Sequence, residues 1–222
     1  MTGPRLVLVG CRYRARWARL LRTWDLTAGP GEVVHLHAPN GTGKSTFLRA
    51  AVGLVPAQWD HRALPAGRPS AATEAAAPRY VASNHGVSSA LRLQDHAGLH
   101  GEVYDVGAAA VAASLERWGV EHLVRRRGDQ LSHGQHRAAL LALALAGRPR
   151  LLVLDEPLVA LDRVHQDLLI EELHRCRADG AIVVIAGHDR WLPDALPGRE
   201  LPGREQAGPA GDLGRRSRVG AP

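Results

Sequence analysis

The sequence predicts an α/β domain in which a parallel sheet carries an inserted block of helices. Short apolar strands alternate with helical patterns near both ends of the chain, and a mainly helical stretch separates these two regions. With 222 residues, 45% of them hydrophobic, the chain can bury the core of one compact domain.

The N-terminal region predicts a strand, a loop and a helix in succession, followed by an irregular connection and a further strand. The connection is rich in proline, alanine and glycine and carries little hydrophobic pattern. In order, we expect strands at residues 7–9 and 32–37, a loop at 39–43, a helix at 45–52, the connection at 58–78 and a strand at 80–82.

The C-terminal region predicts helices and buried parallel strands. We expect helical structure at residues 90–118, interrupted near Gly101 and Gly107, then an apolar helix at 135–146, a strand at 151–154, an amphipathic helix at 164–177 and a strand at 181–186. From residue 198 onward the chain has almost nothing to bury, which predicts a disordered tail at 198–222. The predicted domain therefore spans residues 1–197, with a helical subdomain at about 84–146.

Composition indicates a soluble, cytoplasmic protein that does not bind nucleic acid. The net charge is +6, but the arginines are spread along the chain and cluster only at residues 125–127 and in the C-terminal tail. Without a basic stripe or aromatic platforms, no nucleic acid partner is expected. Cys11 and Cys176 match no metal or redox spacing, which favours reduced thiols in a reducing compartment. No apolar run approaches the ~20 residues that a membrane span needs.

A nine-residue segment nearly matches the phosphate-binding pattern G-x-x-x-x-G-K-[ST]. This phosphate loop consists of Ala38, Pro39, Asn40, Gly41, Thr42, Gly43, Lys44, Ser45 and Thr46. Gly41 and Gly43 allow the backbone to wrap around an anion with its amides pointing inward, and the helix that follows adds its own free amides. The one departure from the pattern is Ala38, whose methyl group replaces a glycine without removing a donor.

The basic and hydroxyl side chains of this loop predict binding of ATP with Mg²⁺. Lys44 places a point charge at the β- and γ-phosphates, and Ser45 offers its hydroxyl to the metal. Lys44 is the sole lysine among 28 lysines and arginines, so the chain keeps a compact ammonium group where a planar guanidinium would not fit.

An acidic pair, Asp155 and Glu156, ends the predicted strand at 151–154. A carboxylate at the end of such a strand lies near a bound Mg²⁺ and its waters, and its neighbour lies beside the attacking water. We therefore expect Asp155 to be a metal ligand and Glu156 to be the catalytic base.

The signature segment Leu131-Ser132-His133-Gly134-Gln135 precedes the acidic pair by some 20 residues. Here the sequence resembles the ATP-binding cassette (ABC) ATPases, whose signature is L-S-G-G-Q, and the resemblance covers roughly residues 4–195. It implies a P-loop NTPase core of ABC type with an antiparallel β edge and a helical subdomain. It also implies a head-to-tail dimer in which Ser132, Gly134 and Gln135 face the γ-phosphate bound by the other subunit.

Further motifs match this family in order and spacing. Leu161-Asp162 follows the acidic pair as the D-loop does, and His188 follows the last strand where the family has its switch histidine. The resemblance implies that His188 contacts the γ-phosphate and keeps Glu156 and the water in register. Tyr13 fits the aromatic residue that stacks on adenine, and Trp17 is its rival.

The sequence also departs from the family pattern at two positions. Asn84 stands where the family has a metal-binding glutamine, and its side chain is one methylene shorter. Gln94 is the alternative by residue type, although it falls where a helix begins. His133 replaces a signature glycine, which favours slow hydrolysis.

The resemblance implies an ATP-hydrolysing subunit of an ABC transporter. It would form a dimer with itself or with another ATPase subunit on the cytoplasmic face of the inner or plasma membrane, and would drive transport by separate transmembrane permease subunits. The short length and the run Leu-Ser-x-Gly-Gln-x-Arg resemble the haem exporters of cytochrome c maturation. Two alternatives remain: a soluble ABC-type ATPase acting on ribosomes or DNA, and a regulatory module that binds ATP without hydrolysing it.

Overall fold

The described part of the computed structural model comprises residues 5–15, 18–19, 22–65, 77–83, 87–188 and 192–205, and it contains twelve strands, six α-helices and two short 3₁₀ helices at Glu121–Leu123 and Gly128–Gln130. The strands are β1 (Leu6–Val9), β2 (Arg14–Ala15), β3 (Ala18–Arg19), β4 (Arg22–Thr23), β5 (Leu26–Ala28), β6 (Val33–His37), β7 (His61–Ala63), β8 (Arg79–Val81), β9 (Leu151–Asp155), β10 (Ile182–Ala186), β11 (Arg199–Pro202) and β12 (Arg204–Glu205). The helices are α1 (Lys44–Ala51), α2 (Leu93–Tyr104), α3 (Ala108–Arg117), α4 (His133–Leu145), α5 (Arg163–Ala178) and α6 (Leu192–Ala195).

Five parallel strands form the central sheet, in the order β11-β6-β10-β9-β8. Strands β9 and β10 are buried along their whole length, because alternate residues point into two different hydrophobic cores. In β9, Leu152 and Leu154 belong to one core, whereas Leu151 and Val153 belong to the other. The predicted parallel sheet is therefore confirmed, with packed layers on both faces.

One layer combines α1 with a three-stranded antiparallel sheet of order β5-β1-β7. Leu6, Leu8 and Leu26 from this sheet share a core with Phe47 of α1. The ring of Phe47 lies 5.0 Å from that of Trp24, measured between centroids. This packing fixes α1, and with it the loop that precedes α1, against the central sheet.

The other layer is helical. Helix α4 buries alanines and leucines in the same core as Leu152 and Leu154 of β9 and Leu169 of α5. Helices α2 and α3 pack against α4, and the hydroxyl of Ser114 in α3 donates to the carbonyl of Ala142, 2.7 Å away. Helix α4 is thereby packed firmly against β9.

Two sequence predictions were wrong at the level of single elements. The connection at 58–78 was expected to be irregular, but its residues 61–63 form β7 and pair with β1. Helix α2 continues through Gly101 to Tyr104, and the break comes at residues 105–107. Gly101 is needed for a different reason: a Cβ there would lie 2.9 Å from the carbonyl oxygen of Val106, where the chain turns back over the helix.

The tail predicted from residue 198 was also wrong at its start. Strand β11 pairs in parallel with β6 at the edge of the central sheet, and β12 pairs with β4. Backbone pairing at an edge needs few apolar side chains, so the hydrophobic pattern gave no sign of it. Residues 206–222 lie outside the described part of the chain.

Neither cysteine is exposed. Burial raises the pKa of both Cys11 and Cys176 to about 12, and no disulfide links them. Among the helices of the described ranges, none combines the length and hydrophobicity that crossing a bilayer requires.

Candidate ATP-binding and catalytic site

The phosphate loop connects β6 to α1. Gly41 and Gly43 adopt positive φ angles of 76° and 104°, the backbone region that favours glycine. Helix α1 begins directly after Gly43, and no side chain caps its first turn. The amide groups of that turn are therefore available to a bound anion.

Lys44 is the cation of this loop, and its side chain folds back over it. The ammonium nitrogen donates to the carbonyl oxygens of Ala38 at 2.7 Å and Pro39 at 3.2 Å. The residue is only 7% exposed, and this burial lowers the pKa of Lys44, although the charges of Glu156 and Asp155 oppose the shift. The loop thus carries a desolvated positive charge that a phosphate group would stabilise.

Asp155, the last residue of β9, is buried and only partly satisfied. The hydroxyl of Tyr80 donates to its Oδ2 atom at 3.3 Å. Its Oδ1 atom has no hydrogen-bond partner among the described residues. A buried carboxylate oxygen without a donor suits a cation, so the donor set here fits Mg²⁺.

Glu156 and His188 meet where β9 and β10 end. Glu156 has a φ of 49°, and its amide donates to the carbonyl of Ala186 at 2.7 Å. The Nε2 atom of His188 lies 3.0 Å from Oε1 of Glu156 and 3.4 Å from the ammonium nitrogen of Lys44. The structure therefore brings together the three side chains that the sequence assigned to catalysis.

Arg137 lies behind this cluster, and the sequence did not assign it a role. The residue is 4% exposed, and its guanidinium donates to the carbonyl oxygen of Glu156 at 2.7 Å. The signal in the sequence was a charged residue inside the most apolar predicted helix. Tyr80 was also missed, because a tyrosine in a predicted strand gives no sign of facing a carboxylate.

The signature segment begins α4 and builds a separate cavity. The hydroxyl of Ser132 accepts the amide hydrogen of Gln135 at 3.3 Å, and the side chain of Gln135 accepts that of Ser132 at 3.0 Å, which forms a capping box. A cavity of about 360 Å³ adjoins this turn and includes Ser132, Gly134, Gln135, Ala160, Asp162 and His165 in its lining. Residues of the phosphate loop do not line it.

The sequence singled out five further residues, and the structure describes three of them. Asn84 and Trp17 lie outside the described residues. Tyr13 is half-buried and packs against the core that contains Phe47, so its stacking on adenine stays a prediction. Gln94 is exposed in the first turn of α2, where its backbone N–H donates to the backbone carbonyl of Val124. His133 is exposed as the first residue of α4.

Known proteins resemble this chain in sequence and in fold. The family model described as ABC transporter matches residues 21–159. The zinc import ATP-binding protein ZnuC of Ruegeria pomeroyi is 34% identical over 205 residues, which cover 90% of this chain and 75% of the relative. The cytochrome c biogenesis ATP-binding export protein CcmA of Paramagnetospirillum magneticum is 37% identical over 182 residues, covering 78% of this chain and 82% of the relative.

Solved structures support the same fold. One described as the ATP-binding subunit of an ABC transporter has a TM-score of 0.73 at 21% identity and covers 87% of this chain. The relatives named above are an import and an export ATP-binding protein, so the resemblance to haem exporters is consistent but does not single out one type. The predicted fold and family are confirmed: the chain belongs to the ABC transporter family and is an ATP-binding cassette ATPase.

Proposed function

We propose that this chain hydrolyses Mg-ATP in a head-to-tail dimer and so drives transport by separate transmembrane permease subunits. The observation that carries the proposal is the contact chain from Lys44 through His188 to Glu156, with steps of 3.4 and 3.0 Å. The ammonium group of Lys44, the imidazole of His188 and the carboxylate of Glu156 therefore lie together beside the phosphate loop.

Each residue of the site has a role in this proposal. The amides of the phosphate loop and Lys44 would bind the phosphates, while Ser45, Asp155 and Asn84 would hold Mg²⁺. When bound, the metal neutralises charge on the phosphate oxygens. Glu156 accepts the proton of the attacking water, and His188 fixes the orientation of the Glu156 carboxylate.

The signature segment supports a dimer as the active form. Ser132 is exposed at the N-terminus of α4, and it lines a cavity apart from the phosphate loop of its own chain. A second subunit, identical or related, would therefore present its own phosphate loop to Ser132, Gly134 and Gln135. We place this dimer on the cytoplasmic face of the membrane, without a nucleic acid partner.

Hydrolysis and dimerisation test the proposal together. We expect Glu156→Gln to lower the ATPase rate by about 10²–10⁴-fold, the usual contribution of a general base. The same variant should accumulate an ATP-bound dimer, measured by size-exclusion chromatography with light scattering. Glu116→Gln is the matched control, because Glu116 is an exposed glutamate on α3 to which the proposal gives no role.

Two results would overturn the proposal. One is a Glu156→Gln variant that hydrolyses ATP as fast as the parent chain. The other is a Glu156→Gln variant that stays monomeric with ATP although the parent hydrolyses it.

A further inference from the structure

We propose that Arg137 is a positioning residue for Glu156, and this proposal rests on the function proposed above. Its guanidinium holds the backbone on both sides of the site and so sets where the catalytic carboxylate points. Helix α4, which begins with the signature segment, thereby fixes the geometry of the acidic pair.

The hydrogen bonds of Arg137 reach two separate segments. At the end of β9 and in the turn that follows it, the carbonyl oxygens of Asp155, Glu156 and Pro157 accept at 3.3, 2.7 and 3.3 Å. From the segment after β8, the carbonyl oxygen of Ala82 accepts another bond. Ala82 stands two residues before Asn84, the predicted metal ligand, so one side chain ties together the backbone of both segments.

The backbone at Glu156 needs such support. A non-glycine residue with a φ of 49° is strained and persists only where its surroundings determine it. The carbonyl of Ala186 anchors the amide of Glu156, and Arg137 anchors the carbonyl of Glu156. With both peptide groups fixed, the side chain of Glu156 reaches His188.

The chemistry of a guanidinium explains why an arginine occupies this position. Its planar fork carries five donors, and the bonds described above use each of its three nitrogens. Burial lowers the pKa of Arg137 to about 10, while Asp155 and Glu156 oppose the shift, so the group stays charged at neutral pH. A lysine has the charge but cannot reach several carbonyls in one plane.

Arg79 provides a matched control. It is 5% exposed, burial lowers its pKa to about 10, and it donates to the carbonyls of Ala144 and Ala146 at the opposite end of α4. It is thus a second buried arginine that binds backbone carbonyls, but these carbonyls do not belong to the turn that carries the acidic pair.

The test compares Arg137→Lys with Arg79→Lys in the full chain. For Arg137→Lys we expect kcat to fall by about 10- to 100-fold, the effect of a misplaced catalytic group, with KM for ATP within about twofold of the parent. For Arg79→Lys we expect a lower melting temperature but a kcat within about threefold of the parent below that temperature.

A double-mutant cycle then separates positioning from general damage. If Arg137 acts through Glu156, adding Arg137→Lys to Glu156→Gln should lower the residual rate no further. Equal losses of kcat in the two arginine variants, or an additive loss in the double variant, would overturn the proposal. So would a failure of both Arg137→Lys and Arg137→Gln to fold. Glu156→Gln alone tests the proposed function, so the two proposals fail separately.

Discussion

Ser132 combines a structural role with a proposed functional one, and substitutions can separate the two. Its hydroxyl caps the N-terminus of α4 by accepting the amide hydrogen of Gln135. In the proposed dimer the same hydroxyl faces the γ-phosphate bound by the other subunit. Ser132→Ala removes both roles, whereas Ser132→Asp keeps a capping oxygen but places a negative charge against the phosphate.

The expected magnitudes follow from the capping box. Loss of an N-cap hydroxyl costs about 1 kcal/mol, which in a chain of this size lowers the melting temperature by about 2–4 °C. Ser132→Asp should melt within about 1 °C of the parent, because the carboxylate accepts the same amide and interacts favourably with the helix dipole. Its ATPase rate should nevertheless fall at least as far as that of Ser132→Ala.

Thermal unfolding without nucleotide and steady-state hydrolysis measure these two effects independently. Ser88→Ala is the control, because the Ser88 hydroxyl also accepts a backbone amide, that of Ala90, but lies in a loop and caps no helix. A Ser132→Asp variant that is destabilised as much as Ser132→Ala, or that hydrolyses ATP at the parent rate, would contradict the two roles given to this hydroxyl.

Three further predictions test the phosphate loop and the acidic pair. Gly41→Ala should destabilise the chain by about 1–2 kcal/mol, because φ is 76° at Gly41; a Cβ there meets no other atom, so the backbone strain alone sets this cost. Gly98→Ala within α2 should instead stabilise the chain by about 0.5–1 kcal/mol. Thermal unfolding checks both variants. Tyr80→Phe should raise the Mg²⁺ concentration for half-maximal hydrolysis by about 2- to 10-fold, because Asp155 loses a hydrogen bond; an unchanged Mg²⁺ titration would contradict this. Because burial lowers the pKa of Lys44, ATP affinity should be constant at neutral pH and decline as the pH rises through that lowered pKa, before an exposed lysine would titrate. ATP titrations from neutral to alkaline pH check this prediction. An affinity that increases over this pH range would contradict it.

The parts of the fold that depend on side-chain burial could be predicted from the sequence. Strands β9 and β10 are continuous apolar runs, and α4 is the most apolar helical stretch, so all three were expected close to their observed ends. Strands β7 and β11 could not be predicted, because they are held mainly by backbone pairing at sheet edges and expose most of their side chains. Their partners are distant in sequence, and hydrophobic periodicity does not report on them.

The residues of the candidate site also differ in whether the sequence could predict them. Lys44, Asp155, Glu156 and His188 follow strands or loops with recognisable spacing, so their convergence could be inferred. Arg137 and Tyr80 act through contacts that are distant in sequence: Arg137 donates to a carbonyl 55 residues away, and Tyr80 to a carboxylate 75 residues away. No local pattern specifies such contacts, and a three-dimensional structure is needed to see them.

Titration with Mg-ATP tests whether the loop around Lys44 binds the phosphates of a nucleotide. The parent chain should bind ATP, and Lys44→Ala should show no measurable binding while its melting temperature without nucleotide shows that it remains folded. If folded Lys44→Ala binds ATP with the affinity of the parent, the phosphates bind elsewhere and this loop is not the nucleotide site.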